Sequence, residues 1–216
     1  MCRLTIRKRY PTFKGYILKQ KENMKKVVLV VVGVLVLLVA ISGCGYNGLV
    51  KMDEDVKTKW AQVETQYQRR SDLIPNLVST VKGAAKFEQT TLTQVIEARS
   101  KASQITIDPD KLTEENMQKY QAAQGQLSQA LGKLMVLTEN YPELKATQQF
   151  SELSAQLEGT ENRIAVSRKD FNESVQTYNT KVRSFPNNLT AGIFGFSQKA
   201  AFKAEAGAQN APKVEF

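Results

Sequence analysis

The sequence predicts an all-α protein, an antiparallel up-down four-helix bundle preceded by an N-terminal signal or transmembrane anchor helix. Apolar residues recur at spacings of three and four from Leu49 to Phe185, and no useful stretch alternates with period two. Only a few prolines and capping residues interrupt this pattern. An uncharged run, Val27–Gly43, precedes it. These observations divide the chain into residues 1–23, an anchor at 24–44, a bundle at 45–185 and a flexible tail at 186–216.

The run Val27–Gly43 can be interpreted in two ways. Its 17 residues would form a helix of roughly 25 Å, which is shorter than a bilayer core of about 30 Å. It is longer than the apolar region of a signal peptide, about 7–15 residues. The run ends in Ile41-Ser42-Gly43-Cys44, which resembles a bacterial lipobox, so cleavage and acylation at Cys44 are one interpretation. A retained membrane span, with Cys44 incidental, is the other.

The basic flank of the run sets its expected orientation. Residues 1–26 carry nine Lys and Arg side chains against Glu22 alone. Because basic flanks stay in the cytoplasm, the chain after the run should lie on the extracytoplasmic side. Met24-Lys25-Lys26 is a standard signal-peptide opening. Residues 1–23 are therefore interpreted either as an upstream extension from an early start codon or as a basic cytoplasmic segment.

The positive charge of the chain lies almost entirely before the predicted bundle. The formal net charge is +9, but residues 44–216 hold 21 Lys and Arg against 20 Asp and Glu. A nearly neutral domain of mixed sign gives no indication of nucleic-acid binding. The two cysteines predict no disulfide, and the sequence contains no histidine, the commonest general base and metal ligand. We therefore expect no cofactor and no metal.

Proline-containing breaks define the expected helices. Ser71 or Asp72 can cap a helix that carries Pro75 in its first turn. Three later breaks also contain a proline, at Asp108-Pro109, Tyr141-Pro142 and Phe185-Pro186. The expected helices span about 46–69, 73–105, 110–140 and 143–184.

A seven-residue repeat predicts the core of each helix and makes the helices cross at shallow angles. In the first two helices the repeat positions are Leu49, Val56, Trp60, Val63 and Tyr67, then Ile74, Leu77, Val81, Ala84, Ala85, Val95 and Ala98. In the third they are Met117, Tyr120, Leu127, Leu131, Leu134 and Tyr141, and in the fourth Phe150, Leu157, Ile164, Phe171, Tyr178 and Phe185.

Two interpretations of the first half of the bundle remain open. The repeat keeps its phase across Pro75, so the first two segments can also form one bent helix in a three-stranded bundle. Arg69-Arg70 favours a break, because two cations suit the carboxyl end of a helix.

The first candidate binding site is Arg69, Arg70 and Asp72. These side chains could bind an anion or an acidic group of a partner protein, and the alternative is a helix-end cap with local ion pairs. The acidic cluster Asp53-Glu54-Asp55 is interpreted as a solvated face, because residues 53 and 55 of a helix point about 200° apart and cannot converge on one metal ion.

The second candidate site is the apolar part of the tail. Ile193, Phe194 and Phe196 lie among glycines and outside the repeat. They could dock on another protein or on the bilayer surface, or the segment could fold back and close one end of the bundle.

Several stretches of this sequence resemble the LemA family. The longest is ENRIAVSRKDFNESVQTYNTKVRSFPNNLTAGIFGF at residues 161–196, and RRSDLIPNLV within residues 60–88 is specific to the family. Shorter matching stretches are Tyr46-Asn47-x-Leu49-Val50, EARSKA at 97–102, YPELKA at 141–146 and the terminal APKVEF. The resemblance covers nearly all of the chain after Cys44. It implies a membrane-anchored helical bundle for which no molecular activity is established.

These observations predict a non-enzymatic, membrane-anchored bundle of the bacterial cell envelope that presents a surface to an unidentified envelope protein. Family members are usually described with a short amino terminus outside the cell, whereas Lys25-Lys26 and Cys44 here indicate an extracytoplasmic bundle. The alternatives are a histidine-independent enzyme and a lipid- or ligand-binding bundle.

Overall fold

The structure is a computed structural model that describes the backbone of residues 13–83 and 89–204. It describes the side chains of residues 24–33, 45–83 and 89–204. All regular secondary structure in these ranges is helical, which confirms the all-α prediction. The helices are α1 (Phe13–Lys82), α2 (Gln89–Gln104), a 3₁₀ helix (Pro109–Lys111), α3 (Glu114–Thr138), α4 (Pro142–Lys145), α5 (Gln148–Arg183) and α6 (Asn187–Phe194).

The chain divides into two units, residues 1–47 and residues 48–216. In the first unit the backbone is helical from Phe13, and the apolar side chains from Val27 to Val32 are exposed. Among the helices that the structure describes, none combines the length and the apolar character required to cross a bilayer. The side chain of Cys44, the predicted acylation site, lies outside the described residues.

The predicted break near Pro75 is wrong, because α1 continues through this proline to Lys82. A helix across Pro75 is what the alternative interpretation allowed, but it does not include the whole second segment, since α2 is a separate helix from Gln89. A proline has no N–H to donate to the carbonyl of the residue four positions before it. That carbonyl belongs to Ser71, and Arg99 Nε of α2 donates to it over 2.9 Å. The missing helical bond is thus replaced by a side chain, and the helix ends at Lys82 instead of before Pro75.

The other predicted breaks occur where the sequence indicates them. The Asp108 carboxylate accepts from the Asp110 N–H at 3.0 Å and caps the 3₁₀ helix, whose first residue is Pro109. Pro142 begins the short α4, and α5 ends before Phe185-Pro186.

The core of residues 48–216 follows the seven-residue repeat closely. Two clusters of buried side chains form it, and they contain nearly all repeat positions that the structure describes. The predicted positions Ala84 and Ala85 lie outside the described residues. Phe185 differs, because it lies beyond the end of α5 and is 81% exposed. The repeat therefore identifies the buried face of each helix but not its last position.

The second predicted helix, 73–105, begins later than expected, because residues 73–82 belong to α1 and α2 starts only at Gln89. α2 packs against α3, but it ends at Gln104. Beyond that point the first cluster is completed by residues 105–112 and by a segment at 196–203, which contribute Ile107, Leu112 and Phe202. The sequence predicted a flexible tail at 186–216, whereas the structure places a helix and a docked segment within residues 187–204. Residues 205–216 lie outside the described residues.

Three side-chain amides hold the docked segment by its backbone. Asn179, Asn172 and Gln121 each accept from one backbone N–H and donate to the carbonyl of the same residue, at Lys199, Phe202 and Lys203 respectively. The Phe202 ring stacks on Trp60 with the centroids 6.0 Å apart. These contacts explain why this segment is ordered without regular secondary structure of its own.

Candidate functional site

Arg70, one of the predicted partner-binding residues, lies inside the protein. Its side chain is 1% exposed. Nη1 donates to Ser128 Oγ and to Glu161 Oε1, both at 2.7 Å, and Nη2 donates to Gln124 Oε1 at 2.5 Å. The guanidinium also lies over the Tyr67 ring, 5.0 Å from its centroid. These bonds join α1 to α3 and α5, so Arg70 is a structural cross-link and is not accessible to a partner protein.

The sequence contains a signal for this burial. Val56, Val63, Arg70 and Leu77 are spaced by seven residues, so Arg70 occupies a position of the apolar repeat. A charged residue at such a position must find partners inside the protein, because an unpaired buried charge is very costly. Arg69 and Arg70 are adjacent in the sequence and were interpreted together, although only Arg70 occupies a repeat position.

Arg69 and Asp72, in contrast, are exposed and line a groove of about 860 Å³. The groove lies between α1 and α3 where α2 has ended, so no helix covers this part of the surface. Its polar lining includes Glu64, Gln68 and Ser103. Its apolar lining consists of Ala61, Tyr67, Leu73, Ala102, Ile105, Tyr120 and Leu127.

The carboxyl group of Glu64 is the most unusual group of the groove. Burial raises its pKa, and the nearby Trp60 indole N–H only partly offsets that effect. The indole does not reach hydrogen-bond geometry, so Trp60 Nε1 stays buried without a partner. None of the cations in the described part of the chain forms an ion pair with Glu64. Burial also raises the pKa of Tyr67 and of Tyr120, which keeps both phenols neutral.

The acidic residues near the start of the helical unit are engaged with lysines. Lys57 Nζ lies 3.1 Å from Asp53 Oδ2 and 2.8 Å from Asp110 Oδ1. Lys199 Nζ, from the docked segment, lies 2.7 Å from Asp53 Oδ1. Within the described residues, no three His, Cys, Asp or Glu side chains gather as metal ligands. Asp53 is thus a largely buried ion-pair partner of Lys57 and Lys199. Of the three acidic residues predicted to be solvated, only Glu54 and Asp55 are exposed.

Nothing in the sequence around Lys199 predicts that its side chain is buried. Its side chain is 7% exposed, donates to the Pro109 carbonyl at 3.3 Å and lies over the Tyr178 ring at 5.5 Å. Burial raises the pKa of Tyr178 to about 12, and the Asp53 carboxylate adds to this effect. Only the long-range docking of residues 196–203 brings these groups together.

The apolar tail residues are separated by the fold. Ile193 and Phe194 lie at the end of α6 with exposed side chains. Phe196 follows the left-handed Gly195, which has φ 78°, and packs partly buried against the first core cluster. Phe196 therefore folds back onto the core, as one of the two interpretations expected, whereas Ile193 and Phe194 do not become buried there.

Sequence comparison identifies several similar proteins. Magnetosome protein MamQ 2 of Paramagnetospirillum magneticum is 29% identical over 175 residues, and MamQ of Magnetospirillum gryphiswaldense is 28% identical over 174. Each alignment covers 73% of this chain and 64% of the relative, so the chain spans less than two thirds of these proteins. Protein LemA of Metamycoplasma hominis is 23% identical over 158 residues, with 73% and 68% covered.

A family model also matches this chain. The LemA family model covers residues 59–216, which include the groove, the buried Arg70 and the docked segment. Because this match covers well over half of the sequence, the protein belongs to the LemA family.

Proposed function

We propose that this protein is a membrane-anchored, non-enzymatic helical bundle of the bacterial cell envelope that binds another envelope protein through the groove at the end of α2. The relatives that are named magnetosome proteins support an association with a cellular membrane structure. The family match supports the helical part of the proposal.

The anchor is assigned to the uncharged run Val27–Gly43. Its basic flank favours a cytoplasmic amino terminus and an extracytoplasmic bundle. The exposed apolar side chains from Val27 to Val32 support this assignment, because a long exposed apolar stretch indicates an interaction site or a membrane contact. Acylation at Cys44 and a retained span remain the two forms of the anchor.

Glu64 is the observation that carries the proposed binding function. Among the described residues this half-buried carboxylate has no cationic partner, which destabilises the free protein, and a cation from another molecule would relieve this cost. The groove contains two carboxyl groups, Glu64 and Asp72, and one guanidinium, Arg69. Its apolar walls suit a partner segment that carries a Lys or Arg beside apolar side chains. We therefore propose a basic, amphipathic segment of an envelope protein as the occupant.

Site-specific photo-crosslinking tests this assignment in cells that make the full chain. The crosslinker replaces Gln68, which is exposed and lines the groove, and the matched control replaces Gln156, an exposed glutamine of α5. We expect a defined adduct at position 68 whose attached partner peptide contains a Lys or Arg. The charge reversal Glu64→Lys should abolish it, and Glu158→Lys on the exposed surface of α5 should not.

Two results would contradict the proposal. One is the same set of adducts at positions 68 and 156, and the other is an adduct at position 68 that persists in Glu64→Lys. The anchor is tested separately by mass spectrometry of the mature amino terminus from the membrane fraction. An acylated Cys44 supports the cleaved form and an uncleaved run supports the span, whereas a chain found only in soluble fractions contradicts both.

A further inference from the structure

The Trp60 indole lies between the docked segment and the groove. Its centroid is 6.0 Å from that of the Phe202 ring, and the two planes differ by 23°, so the rings stack. Trp60 also contacts Tyr120 at 5.2 Å, and Tyr120 meets Tyr67 edge-on at 5.5 Å. Both tyrosines line the groove. Four aromatic rings therefore form a continuous series of contacts from the docked segment to the groove wall.

Trp60 also borders the carboxyl group of the groove. Glu64 follows it by one helical turn, so the two side chains lie on the same face of α1. Burial raises the pKa of the Glu64 carboxyl, and the indole N–H of Trp60 partly offsets this effect. The position of this indole therefore affects both an apolar wall of the groove, at Tyr120, and its half-buried carboxyl group.

Packing alone fixes the orientation of the indole. Among the described residues Trp60 Nε1 has no hydrogen-bond partner, so the neighbouring rings determine where the side chain lies. The Phe202 ring is itself held firmly, since Phe171 meets it edge-on at 5.6 Å and the Arg168 guanidinium lies 4.6 Å from its centroid. Asn172 holds the Phe202 backbone through two hydrogen bonds. In a close-packed interior, an indole beside such a fixed ring cannot turn without displacing it.

We propose that Phe202 is a positioning residue of the groove: it holds Trp60 against Tyr120 and thereby maintains the groove in the shape that binds a basic, amphipathic segment. This inference rests on the proposed function, and it adds that binding depends on a docked segment far away in the sequence. Without the Phe202 ring, the indole turns into the vacated space, and water reaches Tyr120 and Glu64 from inside the protein.

A titration of Glu64 tests the positioning role without any partner. The full chain is labelled with ¹³C at the glutamate side-chain carboxyl and purified in detergent micelles, and the Glu64 signal is identified by its loss in Glu64→Gln. The test variant, Phe202→Leu, keeps an apolar side chain but removes the stacked ring. The matched control, Phe150→Leu, makes the same change at a buried position of the second core cluster. Arg69 and Asp72, which also line the groove, are unchanged in both variants.

Because burial is the larger influence on Glu64, entry of water should lower its titration midpoint toward 4.5. The fall in Phe202→Leu should be at least about threefold that in Phe150→Leu. An unchanged midpoint in Phe202→Leu, or equal shifts in the two variants, would overturn the inference. If Phe202→Leu does not fold, the comparison of Asn172→Ala with Asn162→Ala decides, because residue 162 is an exposed asparagine of the same helix. Only Asn172→Ala should then lower the midpoint.

Photo-crosslinking at position 68 separates this inference from the proposed function. In cells that make the full chain, the adduct should fall at least about threefold in Phe202→Leu, since fewer molecules hold the binding-competent groove. It should stay at the wild-type level in Phe150→Leu. An undiminished adduct in Phe202→Leu would overturn the positioning role and leave the groove as a binding site. If the wild type gives no adduct, the proposed function fails, and the titration alone decides whether Phe202 positions the groove.

Discussion

Arg99 Nε donates a hydrogen bond of 2.9 Å to the carbonyl oxygen of Ser71, the acceptor that Pro75 leaves without a helical donor. The two residues lie on different helices, and the bond fixes α2 against α1 at the site of the irregularity. The hydroxyl groups of Ser71 and Ser103 meet 3.2 Å apart at the same level. The hydrogen bond that Pro75 cannot make within α1 is therefore replaced by a tertiary contact. Rules for helix ends that consider only neighbouring residues cannot predict such a contact.

The first prediction tests this compensation. Arg99→Met should lower the free energy of unfolding by about 1–3 kcal/mol, because it leaves the Ser71 carbonyl without a donor. In a Pro75→Ala background the alanine N–H can donate to the Ser71 carbonyl. Arg99→Met should therefore lower the free energy of unfolding by less in that background. Denaturant unfolding of the double-mutant cycle measures the coupling. Arg163→Met, at an exposed position of α5, is the control, and an equal loss from Arg99→Met in both backgrounds would refute the explanation.

The second prediction separates the two adjacent arginines. Arg70→Met should destabilise the protein by at least about 1–3 kcal/mol, because the buried Gln124 amide oxygen loses its donor. Arg69→Met should change stability by no more than about 0.5 kcal/mol, since its side chain is exposed. Urea midpoints of the two variants give the comparison. Similar midpoints would show that Arg70 is not the internal cross-link described here.

The third prediction uses Trp60 as a probe of the docked segment. Phe202→Ala should destabilise the protein by about 3–5 kcal/mol and shift the Trp60 emission to longer wavelength, because water reaches the indole when the segment releases. Asn172→Ala should destabilise the protein and shift the Trp60 emission less strongly, because it removes both side-chain hydrogen bonds to the Phe202 backbone. Asn188→Ala on exposed α6 is the control. An unshifted emission in Phe202→Ala would mean that the segment does not cover Trp60.

The fourth prediction concerns pH and Glu64. Its pKa is raised in the folded protein above the ordinary value of 4.5, so the folded state holds the proton more tightly than the unfolded state does. Stability contributed by this group therefore falls as the pH rises from 4.5 through the folded pKa. Glu64→Gln should be more stable than the wild type at pH 7, and the difference should disappear in acid, where the wild-type carboxyl is also neutral. Melting temperatures across this pH range provide the measurement.

Asp110 supplies a control of opposite sign for this pH experiment. Its hydrogen bond and ion pair with Lys57 lower its pKa below the ordinary 3.8, so its contribution is present above that value and is lost as the pH falls through the folded pKa. Asp110→Asn should accordingly be less stable than the wild type at pH 7, with the difference vanishing in acid. Differences of the same sign for the two variants would contradict the assigned causes of both shifts.

Local sequence patterns predicted much of the helical core. The seven-residue repeat identified buried positions such as Trp60, Leu127 and Phe171, because burial of one helical face imposes that spacing. Prolines with capping residues located the breaks at Asp108 and Tyr141, since both act within a few residues along the chain. The prediction of a break at Pro75 failed because the group that donates to the Ser71 carbonyl, the side chain of Arg99, is distant in sequence.

The candidate site was predictable only in part. Arg69 and Asp72 were predicted, together with Arg70, as candidate residues for binding an anion or an acidic group, and these two do line the groove. The groove itself exists because α2 ends at Gln104, and Glu64 becomes notable only through burial by its neighbours. Arg70 could have been distinguished from Arg69 by its place in the repeat.

The sequence by itself determined that this chain is helical, which faces of its helices are buried and that it carries an apolar run behind a basic flank. These properties depend on periodicity and composition, which act locally. Tertiary structure alone decided that Arg99 bonds to the Ser71 carbonyl at Pro75, which partners Arg70 finds and that residues 196–203 complete the core around Trp60. Each of these depends on a hydrogen bond or a packing contact between residues far apart in the chain, where geometry decides which polar group is satisfied.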